Sequence, residues 1–178
     1  MANRLTRIYT RTGDKGETGT ASGARLPKDD PLMQLQGELD ELNCQLGVLA
    51  VNLTGDNLAV IRNIQHALFD IGGEISLGQP ILKQKQVDAL EHRIDAFNTT
   101  LQPLKEFILP GGNEAGALCH LARAVCRRTE RSMVALNRNT SLNPVSLAYV
   151  NRLSDLLFVF ARILNDSDEI YWKSEKNK

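Results

Sequence analysis

A leucine stripe with helical spacing constrains this 178-residue chain more than any other feature. Leucines recur at steps of three and four residues, at positions 32, 35, 39, 42, 46 and 49. Residues spaced in this way fall on one face of an α-helix, whereas the two faces of a strand alternate every second residue. The stripe therefore predicts a long helix with a buried apolar face, capped by Asp29 or Asp30 and opened by Pro31.

Further stripes follow along the chain, and turn residues separate them. Apolar residues step at helical intervals over 61–75, 87–101, 118–125 and 153–163. Asp56 is predicted to cap the second helix and Gly78 to end it, while Pro103 closes the third. The fourth helix is predicted over about 113–136, and the fifth begins near Pro144. The fold class predicted is all-α, a single five-helix bundle with coiled-coil-like packing of antiparallel neighbours.

Charge and composition exclude several classes of function. Lys and Arg together number 21, as do Asp and Glu, so the chain lacks the basic excess of proteins that bind nucleic acids or anionic membranes. Residues 1–10 lack the apolar stretch of a secretory signal, and the longest apolar runs, such as 156–161, are far shorter than a membrane span. We expect a soluble, cytoplasmic protein. Its cysteines, at positions 44, 119 and 126, are expected to be free and largely buried thiols.

Residues 1–28 form a polar arm that does not fit the helical pattern. Residues 7–10 are compatible with a short strand, but 10–20 combine glycine, threonine and charge without apolar periodicity. Glycines 13, 16 and 19 allow backbone N–H groups to turn inward around an anion, and Lys15 and Lys28 supply positive charge. The spacing is not that of a Walker A loop. By itself the arm is either a phosphate cradle or a solvated loop.

The fourth helix carries a dense cluster of arginines. They lie one turn apart at positions 123, 127 and 131, with Arg128 nearby. Such charges repel one another unless a carboxylate or a bound anion compensates them. One interpretation is a solvated face with Glu130 as local partner. The other is a binding site, because Asn151 and Asp155 lie one turn apart on the facing helix.

Other candidates are weaker when taken singly. Asp40 and Glu41 are compatible with a solvated helix edge or with ion pairs to arginines. The histidines, at positions 66, 92 and 120, lack metal-ligand spacing, so no metal site is predicted. Residues 107–112 are apolar and end in a sharp turn at two glycines, which is compatible with a loop packed on the core.

Four motifs that follow one another along the chain support a single interpretation of these segments. They are YTRTGDKG at 9–16, DELN at 40–43, FILPGG at 107–112, and RAVCRRTER at 123–131 followed by NRLSDLLF at 151–158. Together they resemble the PduO-type ATP:cob(I)alamin adenosyltransferases over nearly the whole chain. The resemblance implies a ferritin-like five-helix bundle assembled as a homotrimer, with active sites between subunits. The chain is then one domain of three parts: an ATP-binding arm (1–28), the bundle (29–166) and a tail (167–178). The charge of residues 173–178 by itself predicts that this end is frayed.

The resemblance also implies an activity and a set of site residues. The family transfers the 5′-deoxyadenosyl group of ATP to the cobalt of cob(I)alamin and releases triphosphate. Expected catalytic residues are Phe107 beneath the corrin ring, Arg127, and the ion pair between Asp40 and Arg123 of neighbouring subunits. Expected ATP ligands are Thr10, Arg11, Thr12, Gly13, Thr18, Gly19, Lys28, Arg127, Arg128, Glu130, Arg131 and Asn151.

The expected substrates are ATP with Mg²⁺ and cob(I)alamin, and the expected partners are a reductase and an adenosylcobalamin-dependent enzyme. Two alternatives stay open from the residues alone. A carrier of ATP or corrinoid would bind without releasing triphosphate. A structural bundle that uses its arginines as an oligomer interface would not bind ATP.

Overall fold

Five helices dominate the computed structural model, which describes residues 8–21, 23–166 and 168–175. They are α1 (Pro31–Val51), α2 (Gly55–Leu77), α3 (Gln84–Asn98), α4 (Glu114–Asn137) and α5 (Pro144–Asn165). The predicted all-α class and five-helix bundle are therefore confirmed. No helix in the described part of the chain is long and apolar enough to cross a bilayer.

The helices pack in an order that differs from their order along the chain. α1 lies between α2 and α4, α4 packs on α5, and α5 packs on α3. The leucine stripe of α1 is buried in this core from Leu35 to Leu49, together with Ile61 and Leu68 of α2. Phe160 of α5 is fully buried and stacks on Phe97 of α3, with ring centroids 5.3 Å apart. Burial of these side chains joins α1, α2, α3 and α5 in one hydrophobic core.

Side-chain caps fix where the helices begin. Asp30, rather than Asp29, caps α1 by accepting a hydrogen bond from the Leu32 N–H at 2.8 Å, with Pro31 in the first turn. The residue before α2 is Thr54, so Asp56 lies in the first turn instead of capping it. Asn113 caps α4 through the Gly116 N–H. As predicted, α2 ends at Gly78, whose φ of 67° is left-handed.

Two further details of the helical prediction are wrong. α3 ends at Asn98, so Leu101 lies beyond it. Leu121 is 47% exposed rather than buried, and the core face of α4 passes instead through Cys119, Ala122 and Cys126. Small side chains on this face allow α4 to pack between α1 and α5.

The only strands in the described residues are short. β1 (Glu17–Gly19) and β2 (Arg25–Pro27) pair antiparallel within the arm, with Thr18 opposite Leu26. Residues 8–10 of the proposed early strand are not in a strand, and residue 7 lies outside the described residues. The polar arm is therefore a small hairpin placed before α1.

The segment after α5 returns to the bundle. Asp168 to Trp172, which we call the strap, runs antiparallel to residues 107–109. The Leu109 N–H donates to the Ile170 carbonyl at 2.8 Å, and the Trp172 N–H donates to the Phe107 carbonyl at 2.7 Å. Of the stretch predicted to be frayed, residues 176–178 lie outside the described residues.

Candidate active site

The tip of the arm is a tight polar loop with exposed donors. The Gly16 N–H donates to the Gly13 carbonyl at 3.2 Å, and Gly16 accepts from the Lys28 N–H at 2.8 Å while its φ is 87°. Arg25 clamps the loop by donating to the Thr12 carbonyl at 2.7 Å and pairing with Glu17 at 3.2 Å. The loop is thereby held in shape by its own backbone hydrogen bonds and by the Arg25 side chain.

Two features of this loop suit an anion. A Cβ on Gly13 would lie 3.3 Å from the Lys28 ammonium, so glycine lets that charge sit against the backbone. Arg11 has a φ of 60°, a left-handed conformation that a non-glycine residue adopts at a cost of about 1–3 kcal/mol and that is common at ligand-binding loops. Thr10 and Thr12 share a hydrogen bond between their hydroxyls at 2.9 Å. Thr18 and Gly19, also predicted ligands, lie in β1.

The second cluster lies on α4. Arg127, Glu130 and Arg131 line a surface cleft of about 360 Å³ together with Val134 and Arg138. Arg131 donates to the Arg127 carbonyl at 2.9 Å, and Asn151 of α5 donates to Glu130 at 2.7 Å. The structure thus brings four of the predicted ATP ligands together. Three arginines against one carboxylate leave the cleft positively charged.

Arg128 points away from this cleft. Consecutive helical residues are 100° apart, which turns its side chain from Arg127 toward α1. There it forms an ion pair with Glu41, and this hydrogen bond raises the pKa of the Arg128 guanidinium. The pair ties α4 to α1. The position of this ion pair keeps the Arg128 side chain apart from the other predicted ATP ligands on α4.

Arg123 and Asp40 do not meet within one chain. The Arg123 Nε is buried with no hydrogen-bond partner among the described residues, and its guanidinium lies 5.9 Å from the Phe158 ring centre. Burial, and then the charge of Arg127, lower the pKa of Arg123. Asp40 is exposed and lines a different cleft, beside Phe69 and Gly72. Each charge is available to a partner outside the chain.

Phe107 is a surface residue. Its side chain is 77% exposed, which is unusual for a phenylalanine, and its ring packs edge-on against Trp172 with centroids 6.2 Å apart. The following turn at Gly111 and Gly112 is fixed by Asn165, which donates to the Gly111 carbonyl at 2.8 Å. The loop is therefore held on the core as expected, but the aromatic ring itself faces outward.

His120 was considered in the sequence analysis only as a metal ligand. It is 3% exposed, neither ring nitrogen has a partner among the described residues, and the Phe158 ring lies 6.2 Å away. Burial first, and then the charge on Arg123, lower its pKa. Its position three residues before Arg123, on the same helix face, is the signal that could have linked it to the site.

The remaining candidates are the possible metal ligands and the cysteines in the described part of the chain. No group of three His, Cys, Asp or Glu side chains there could hold a metal ion. Cys119 and Cys126 are buried as predicted and donate to carbonyls of α5, whereas Cys44 is exposed, contrary to expectation. Burial raises the pKa of Cys126 to about 12, so this thiol stays protonated at neutral pH.

Comparison with known proteins identifies the class of protein. Residues 8–164 match the family model described as cobalamin adenosyltransferase. A cobalamin adenosyltransferase of Cupriavidus metallidurans is 44% identical, with 99% of each chain covered. A corrinoid adenosyltransferase of Bacillus subtilis is 41% identical, covering 89% of this chain and 86% of that protein. The chain therefore belongs to the cobalamin adenosyltransferase family.

Solved structures narrow the class further. A phenylalanine-to-alanine variant of a PduO-type ATP:corrinoid adenosyltransferase from Lactobacillus reuteri, complexed with cobalamin and ATP, is similar with a TM-score of 0.88. The two chains are 32% identical, with 94% of this chain and 100% of that chain covered. The predicted PduO type is confirmed, and with it the predicted enzyme class, an ATP-dependent adenosyltransferase acting on cobalamin.

Proposed function

We propose that this chain transfers the 5′-deoxyadenosyl group of MgATP to the cobalt of cob(I)alamin through a site built from the arm, α4 and the Phe107 loop. The electron pair of Co(I) attacks C5′, a Co–C bond forms, and the C5′–O bond breaks with its electron pair leaving on triphosphate. Cob(I)alamin is a strong nucleophile and needs no general base. The protein's task is to position C5′ and to stabilise the leaving group.

The arm and the α4 cleft supply that stabilisation. The Lys28 ammonium, which lies against the Gly13 backbone, and the hydroxyls of Thr10 and Thr12 offer donors to phosphate oxygens. Arg127 and Arg131 offer planar forks, which bind phosphate in a bidentate manner. Mg²⁺ enters with the nucleotide. The observation that carries the proposal is this cationic cleft on α4 in a chain of this family.

Phe107 is assigned to the lower face of the corrin ring. An exposed aromatic ring on a braced loop presents a flat apolar surface, which can exclude water and the axial base from cobalt. Cob(II)alamin without an axial ligand is easier to reduce, because no donor raises the energy of the orbital that accepts the electron. In this way the loop favours formation of the nucleophile.

The site is assigned to the junction between subunits of a homotrimer. Among the described residues, the structure shows no hydrogen bond or ion pair for the exposed Asp40 and no partner for the buried Arg123 Nε, and a neighbouring copy would supply both. Leaving the half-buried Arg123 without a partner is costly, which favours assembly. A cytoplasmic location, a reductase that supplies Co(I), and an enzyme that consumes the product stay predictions.

The experiment is to mix the protein with MgATP and chemically reduced cobalamin and follow the loss of cob(I)alamin absorbance together with triphosphate release. Equal amounts of adenosylcobalamin and triphosphate are expected. Binding of ATP and corrinoid without triphosphate would contradict transfer and indicate a carrier. Absence of ATP binding would indicate a structural bundle.

Arg127→Lys tests the triphosphate assignment within the same assay. It keeps the charge but replaces a planar fork with a point charge, so one hydrogen bond to a charged group, worth about 1.5–3 kcal/mol, is lost. We expect kcat/KM for ATP to fall at least about tenfold. Arg62→Lys, on the exposed face of α2, is the matched control. Parental kcat/KM in Arg127→Lys would contradict the assignment.

A further inference from the structure

The strap after α5 is built to hold one loop in place. Arg162 is 6% exposed, and its Nε donates to Glu169 at 2.8 Å in an ion pair whose two side chains are both more than nine-tenths buried. The same guanidinium donates to the Gln102 carbonyl at 2.9 Å. One buried cation therefore anchors the root of the strap and the start of the loop that carries Phe107.

The two segments are then joined along their length. Backbone hydrogen bonds connect Leu109 to Ile170 and Trp172 to Phe107, with Ile108 bridged to Tyr171 between them. At the far end of the loop, Asn165 accepts from the Asn113 N–H and donates to the Gly111 carbonyl. The backbone of residues 107–112 is thus fixed on both sides.

The Phe107 ring itself has little support. Its side chain is 77% exposed, and the aromatic contact recorded for it in the described residues is with Trp172, at 6.2 Å and an interplanar angle of 64°. An edge-on contact of this kind is a preferred arrangement of aromatic rings and restricts rotation of the Phe107 ring. Trp172 is 44% exposed, so it also extends the apolar surface.

From this arrangement we infer that Trp172 is a positioning residue for the corrinoid: it sets the orientation of the Phe107 ring beneath the corrin. This inference rests on the proposed function. Trp172 acts through Phe107, so its loss affects the axial position at cobalt more than it affects nucleotide binding.

Three variants test the inference: Trp172→Ala, the conservative Trp172→Phe, and Tyr171→Ala as control. Tyr171 precedes Trp172 in the strap and is 47% exposed, close to the 44% of Trp172, but its hydroxyl contacts Glu169 rather than Phe107. The measurements are the spectrum of cob(II)alamin bound with ATP, kcat and KM with cob(II)alamin and a reductant, and Tm. The spectrum reports the axial ligand directly, which a purely structural role would not alter.

Trp172→Ala is expected to shift bound cob(II)alamin toward the five-coordinate form. It should also lower kcat by up to about tenfold, a change that corresponds to loss of the interaction between the Trp172 and Phe107 rings. The KM for ATP should stay within about twofold. Trp172→Phe should recover most of the parental spectrum, and Tyr171→Ala should match the parent.

Two results would overturn the inference while leaving the proposed function intact. One is a parental spectrum in Trp172→Ala. The other is equal loss in Trp172→Ala and Tyr171→Ala that follows a lowered Tm, since this would make the strap purely structural. If the parent protein itself neither changes the cob(II)alamin spectrum nor turns over, the proposed function fails, and the assignment of Trp172 fails with it.

Discussion

Phe107 and Phe160 show how the same residue type serves two purposes in this chain. Phe160 is fully buried and stacked on Phe97, whereas Phe107 is 77% exposed. Truncating a core phenylalanine costs about 3–5 kcal/mol, so Phe160→Ala should lower Tm strongly. Phe107→Ala should lower Tm only slightly and leave ATP binding intact, yet turnover from cob(II)alamin should collapse.

The two oxidation states of cobalamin separate the possible roles of Phe107. Pre-reduced cob(I)alamin should restore part of the activity of Phe107→Ala, because the reduction step is then bypassed. Steady-state assays with both forms, alongside thermal unfolding of Phe107→Ala and Phe160→Ala, measure this. Equal losses with both forms, accompanied by a Tm as low as that of Phe160→Ala, would mean that Phe107 supports the fold rather than the reaction.

His120 makes stability depend on pH. Its pKa in the folded chain is below the ordinary value of 6.5, chiefly because of burial. The unfolded chain takes up this proton first as pH falls, so the free energy of unfolding decreases below about pH 6.5. His120→Leu should show a smaller loss of Tm between about pH 7.5 and 5.5 than the parent. His92→Leu, at an exposed site, is the control, and a slope unchanged by His120→Leu would refute the prediction.

At the scale of single elements, α4 shows what periodicity can and cannot predict. The spacing of apolar residues located the helix to within one residue at each end. It did not identify the buried face correctly. Because Leu121 is more hydrophobic than Cys119 or Ala122, the prediction placed Leu121 on the buried face, but Leu121 is exposed and the other two are buried. The side chains that fit between α1 and α5 are determined by the volume available between those helices. The periodicity of one helix carries no information on this volume.

The start of α4 has a close approach that can be tested. A Cβ on Gly116 would overlap the side chain of Asn165, which fixes the turn at Gly111. Gly116→Ala should therefore displace Asn165 and destabilise the chain by about 1–3 kcal/mol. Gly47→Ala, also in a helix, meets only the Gln65 amide at 3.4 Å and should be neutral or stabilising by up to about 1 kcal/mol.

Denaturant unfolding of both glycine variants measures the difference. If Gly116→Ala is as stable as Gly47→Ala, then Asn165 is free to move and does not brace the loop that carries Phe107. The kinetic parameters of Gly116→Ala should change with cobalamin more than with ATP, since the displaced turn belongs to the Phe107 loop rather than to the α4 cleft.

For the whole molecule, apolar periodicity was sufficient to predict the five-helix bundle, and the four motifs were sufficient to predict the family. Contacts between distant segments could not be predicted in the same way. The Arg128–Glu41 pair joins residues 87 positions apart, and the strap pairs with residues 107–109, far earlier in the chain. Neither leaves a periodic signal. The strap in particular falls in a charged tail that composition alone assigns to a frayed end.

In the proposed homotrimer, we expect the arm of one subunit and α4 of its neighbour to complete each active site. Lys28→Ala impairs the arm and Arg127→Ala impairs the α4 cleft, so each variant alone should be nearly inactive. The decisive measurement is the activity of mixed trimers, purified from co-expressed variants that carry two different tags. Each mixed trimer pairs one intact arm with one intact cleft, so about one third of parental activity should return. Activity no higher than that of either variant alone would place the whole site within one subunit and contradict a site shared between subunits.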